Sequence, residues 1–130
     1  MSATQPAPSR HAVTLDYYLR ALAVAMMLLG LRQWAVIIGV APGDDPFEAM
    51  SAAWKFATMH LAVVDLVASV GLWLRVAWGK VIWIYAVVSE IALHTVFIGA
   101  FGGDLLVVTF HVATFAAFVV LTILARQPAA

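Results

Sequence analysis

Seven polar side chains in this sequence stand where their surroundings do not invite them. Arg32 and Gln33, His60 and Asp65, Glu90 and His94, and His111 all fall inside long apolar runs. An ionisable group in hydrocarbon costs about 2.5 to 3.5 kcal/mol on insertion scales, so each should have a partner or a purpose. Imidazole is the side chain that ligates haem iron, copper or zinc, which makes His60, His94 and His111 the candidate cofactor-binding residues. Arg32, Gln33, Asp65 and Glu90 form a candidate intramembrane polar network. Such a network can carry a proton or ion path, receive a polar head group such as a quinone's, or simply hold helices in register. No residue pattern marks a catalytic centre, and Glu-x-x-x-His at Glu90 and His94 is not the zinc-protease motif.

Four apolar segments must position these groups, at about residues 15–40, 54–74, 81–100 and 105–124, each near the ~20 residues that cross a ~30 Å hydrocarbon core. Residues 1–14 read as a flexible cytoplasmic tail, and residues 15–126 as one transmembrane domain. Pro42, Gly43, Asp44, Asp45, Pro46 and Glu48 mark a solvent loop between the first two segments. The short link Arg75 to Lys80 makes the second and third an antiparallel hairpin. Gly102 and Gly103 end the third segment, and Asp104 caps the fourth. Ala68-Ser69-x-Gly71 is a small-residue stripe of the kind that permits close helix approach. Strands of a membrane barrel are excluded, because the segments are too long and lack alternation.

Composition agrees. The chain has 130 residues, 65% hydrophobic and 11% charged, with a mean hydropathy of +1.00, so lipid is its expected solvent. A formal net charge of zero offers no field for nucleic acid. The absence of cysteine excludes disulfides, thiolate metal sites and a thiol nucleophile. Arg10, Arg20, Arg75, Lys80 and Arg126 gather on one side of the expected topology, and Asp44, Asp45, Glu48 and Asp104 on the other. By the positive-inside rule both termini are cytoplasmic. The expected fold is thus an all-α, polytopic membrane protein, a four-transmembrane-helix antiparallel bundle.

At ~1.5 Å per residue, His60, His111, His94 and Arg32 fall at similar depths, roughly 9 to 12 Å from the outer face, with Asp65 and Glu90 near the midplane. Trp83, Glu90 and His94 share a face of the third helix, which should point inward toward Arg32, His60 and His111. His60 and Asp65 diverge by about 140°, so one of them serves a different contact, such as another subunit.

Gly71-Leu72-Trp73-Leu74, Trp78-Gly79, Val81-Ile82-Trp83, Glu90, Phe101-Gly102 and His111, with Tyr18-Leu19-Arg20, Gly30 and Trp34 earlier, resemble an uncharacterised alphaproteobacterial family of small four-helix inner-membrane proteins. That resemblance implies a multi-pass protein of the bacterial inner membrane and carries no activity. A looser similarity, through the layout and Gly30 with Arg32, is to DoxX-like membrane proteins, some of which are tied to quinone-linked sulfur redox chemistry. The leading functional expectation is a non-enzymatic accessory or assembly subunit of a larger complex, working with a membrane-protein partner or as a homo-oligomer. Against it stand a redox or cofactor module binding haem, metal or quinone through His60, His94 and His111, and an oligomeric proton or ion conduit through Asp65 and Glu90.

Overall fold

The computed structural model describes residues 6–41 and 45–127. Within them the chain is helical, with no strand: α1 (Arg10–Ile37), a 3-10 turn (Phe47–Ala49), α2 (Ala52–Trp73), α3 (Ala77–Thr95), the one-turn α4 (Ile98–Phe101) and α5 (Leu105–Arg126). Helices α1, α2 and α5 are each long and apolar enough to cross a membrane, which marks a membrane protein. Helix α3 has 19 residues and carries Lys80, Glu90 and His94, and it is not among those three. Residues 1–5 of the expected tail, and Pro42, Gly43 and Asp44 of the expected loop, lie outside the described residues.

Local chemistry sets the ends. Ser9 accepts the Ala12 N–H at 3.2 Å, so α1 starts at Arg10, inside what the sequence reads as tail. Gly39, at φ 77°, stops it. At the end of α2, Arg75 takes the left-handed conformation at φ 57°. The Val76 N–H donates to Gly71 and the Arg75 N–H to Leu72, the paired bonds of a Schellman closure. The chain therefore reverses sooner than expected, and Lys80 falls inside α3 rather than in the link.

The third segment departs most from the sequence reading. Its helix ends at Thr95 instead of running to Ala100. The Thr95 hydroxyl donates back to the Ile91 carbonyl at 2.6 Å, a contact that bends helices, and Phe97 leaves the helical region at φ −101°, ψ 28°. One turn of α4 follows, and Gly102 at φ 69° redirects the chain. Asp104 then caps α5 as expected, accepting the N–H groups of Leu106 and Val107.

Helix α1 packs on α2 and α5, and α3 packs on the same two. The core joins Leu19, Leu22, Ala23 and Met26 to Ala68 and Leu72, and to Trp83, Ala86 and Val87. These recur at helical spacing, as inward stripes must. The small-residue stripe does bring backbones together: a Cβ on Gly71 would sit 2.3 Å from the Gly79 Cα. Cross-helix bonds reinforce the packing. Ser69 donates to the Ala23 carbonyl at 2.7 Å, Trp34 to that of Ala62 at 3.1 Å, and the Tyr18 hydroxyl to that of Thr114. Only His111 of α5 is fully buried, so most of that helix faces outward.

Two ends can be distinguished. At the basic end, α1 begins beside the end of α2: Arg75 pairs with Asp16 at 2.6 Å, and the Arg20 guanidinium lies 5.8 Å from the Trp73 ring centroid. At the loop end lie the connections from α1 to α2 and from α3 to α5.

Candidate functional site

Helix α3 delivers two polar groups to the loop end, one turn apart. Glu90 continues the buried stripe of Gly79, Trp83, Ala86 and Val87, so its carboxylate points inward with them. His94 sits one turn on, where the helix is about to end, and its Nδ1 lies 3.2 Å from the Gly102 carbonyl. His94 therefore ties the end of α3 to the turn that launches α5.

That launch positions the third group. With Asp104 fixing the first turn, His111 falls about 10 Å along α5 and turns into the core, where its side chain is 1% exposed. Its Nε2 lies 3.3 Å from Glu90 Oε2, whose side chain is 8% exposed. This is an ion pair whenever the imidazole is protonated, and each partner lowers the cost of burying the other. The second imidazole nitrogen, Nδ1, has no hydrogen-bond partner among the described residues.

A cavity of about 290 Å³ opens beside this pair. Its polar lining comes from three helices and a cap: Arg32 and Gln33 of α1, Thr58 of α2, Glu90 and His94 of α3, and Asp104 just before α5. Trp54 and Phe101 close part of its rim, edge to face with centroids 4.9 Å apart. Toward the basic end lies the hydrophobic core, where Met26, Leu72 and Trp83 have no exposure. The Trp83 ring is held edge-on by Phe118, centroids 5.2 Å apart. The chamber thus joins six polar residues to seven apolar ones at the loop end.

Asp65 is fully buried, and neither carboxylate oxygen has a hydrogen-bond partner among the described residues. It lies within electrostatic reach of Glu90. Of the seven residues singled out in the sequence, Arg32, Gln33, Glu90 and His94 line one cavity, His111 joins them through Glu90, and Asp65 lies close behind.

His60 does not join them. It lies in a separate groove between α2 and α3, with Nε2 3.1 Å from the Tyr85 hydroxyl and its ring stacked 5.9 Å from Phe56. The angular divergence of His60 from Asp65 explains this: burying the acid turns the imidazole outward. The expected convergence of His60, His94 and His111 is therefore not formed. Among the described residues, no group of three or more His, Cys, Asp or Glu side chains is placed to hold a metal ion.

Thr58, Trp54 and Asp104 went unrecognised as pocket residues. A signal existed for α2, since Trp54, Thr58, Leu61 and Asp65 follow one another at three to four residues along a single face, and His60 lies off it. Nothing comparable foretells Phe101, which reaches the rim only because α3 breaks.

One protein family, described as a family of unknown function (DUF6163), matches residues 13–128 of the chain. No curated protein and no solved structure matches it.

Proposed function

The chain belongs to this DUF6163 family, and from that premise we propose that it is a four-span membrane subunit of the bacterial inner membrane that binds a small polar-headed molecule in a non-enzymatic, accessory role. The observation that carries this reading is the cavity into which three helices turn Arg32, Gln33, Thr58, Glu90 and His94. Polar groups kept at such depth against their insertion cost support a role for the chamber beyond packing. In this reading α3 is the fourth span, its few charged groups tolerated because Glu90 faces inward. Arg75 and Lys80 at the basic end, with Asp45, Glu48 and Asp104 at the loop end, support a cytoplasmic basic end with both termini on it.

Two other readings fare less well. A three-histidine cofactor centre lacks His60, which is occupied with Tyr85 in another groove. A conduit through Asp65 and Glu90 meets the fully buried Met26, Leu72 and Trp83 on its way to the basic end.

Native mass spectrometry of the protein released into mild detergent tests the reading. Wild type should retain a small-molecule adduct that Gln33→Leu, on the chamber wall and outside the Glu90–His111 pair, loses while its helix content and unfolding midpoint hold. Identical adducts on both, or on neither, contradict it. Vesicles carrying wild type should also hold a proton gradient as well as empty ones; a leak abolished by Glu90→Gln would favour the conduit.

A further inference from the structure

The polar chamber has a neighbour of opposite character. A second cavity, of about 300 Å³, lies between α1 and α5 and is walled by Leu29, Leu106, Val107 and Phe110, with Glu90 and His111 at its back. Leu29, Glu90 and Val107 line both cavities. Leu106 is 80% exposed and Phe110 37% exposed, so this opening faces sideways from the helices rather than along them. Beside a membrane-spanning chain, sideways means the acyl chains of the bilayer.

We infer that the two cavities form one site for a membrane-dissolved amphiphile, a molecule with a compact, uncharged, hydrogen-bonding head and a single apolar chain, entering between α1 and α5. This rests on the binding reading above and names its ligand class. A solute arriving from water has no use for an apolar side opening, because the polar chamber already opens at the loop end. A wholly apolar ligand would strip water from the polar lining, Gln33 and Thr58 among it, which is costly. The head is uncharged because acidic and basic residues share the walls, Glu90 and Asp104 with Arg32, so no single sign of charge prevails there. Its head needs both a donor and an acceptor, since Glu90 offers carboxylate oxygens and Gln33 offers N–H donors. Two chambers of about 300 Å³ each sit at the small end of ligand sites, which run from about 300 to 1,000 Å³. That suits one head and one chain rather than a two-chain phospholipid.

Photolabelling in phospholipid vesicles tests this, with a long-chain primary alcohol carrying a diazirine beside its hydroxyl and, in parallel, a short water-soluble alcohol carrying the same group. The long-chain probe should mark peptides around Leu29 and Val107 in preference to other lipid-facing peptides, and an unlabelled long-chain benzoquinol should compete. Val107→Phe, which narrows the passage, should reduce that labelling about tenfold, the equivalent of roughly 1.4 kcal/mol in affinity. Leu106→Trp, at an exposed position where folding is not at risk, should reduce it in the same direction. If the short alcohol marks the chamber as well as the long one, and both variants leave it unchanged, the ligand comes from water; the binding reading then stands and the amphiphile inference fails. Labelling spread evenly over outward-facing residues, with the chamber unmarked by either probe, overturns both.

Discussion

The two ends of this molecule use the same kind of helix to opposite effect. At the basic end, backbones approach until a side chain no longer fits: a Cβ on Gly79 would lie 2.2 Å from the Gly71 carbonyl carbon. Met26, Leu72 and Trp83 fill the space above with no exposure. At the loop end α3 stops at Thr95, and polar side chains share the lining of a chamber with apolar ones. The basic end is built to close and the loop end to admit something, so stability and function should separate along the helix axis.

The largest effect should come from forcing the closed end apart. Gly79→Leu drives a side chain into the Gly71 backbone and should cost about 3 kcal/mol or more, at or beyond the usual range for overpacking. Steric trapping or denaturant titration in detergent measures it, and a loss below about 1 kcal/mol would break the contrast at its stronger side.

Next comes the buried pair beside the chamber. His111→Leu strands the buried Glu90 and should cost about 3 kcal/mol, whereas the double variant with Glu90→Leu should recover most of it. A double variant no better than the single would mean that Glu90 is not held by His111.

Asp65 sharpens the comparison with an effect of opposite sign. A buried polar group without a hydrogen-bond partner costs about 1 to 3 kcal/mol, so Asp65→Leu, which removes that group outright, should raise the unfolding free energy by roughly 1 kcal/mol. Loss of stability would show instead that Asp65 is a structural tie.

The smallest effect belongs to the exposed hairpin. Arg75→Gly relieves a left-handed residue but loses the Asp16 pair, and two opposing terms below about 1 kcal/mol should leave stability nearly unchanged.

Much of this contrast is written in the chain, though unevenly. The capping side chain of Asp104, the small-residue stripe at Ala68, Ser69 and Gly71, and the inward face of Trp83 and Glu90 are local patterns, and local patterns are readable. The break after Thr95 was not, because an apolar run does not reveal that a hydroxyl will bond back to Ile91. That break also moved Phe101 onto Trp54 and so shaped the rim. His60 illustrates the limit of depth: it shares a level with His94 and His111, yet its position around α2 sends it to Tyr85. Depth depends on counting residues, whereas direction depends on which face the whole helix buries.

Because the sequence contains no cysteine, single cysteines can test directly whether the chamber opens at the loop end alone, in sealed vesicles of known orientation. Gln33→Cys, on the chamber wall, should react with a membrane-impermeant maleimide from the loop-end side only. Ser69→Cys, buried beyond it against Ala23, should react from neither side. Comparable labelling of Ser69→Cys from either face, or an inert Gln33→Cys, would contradict it.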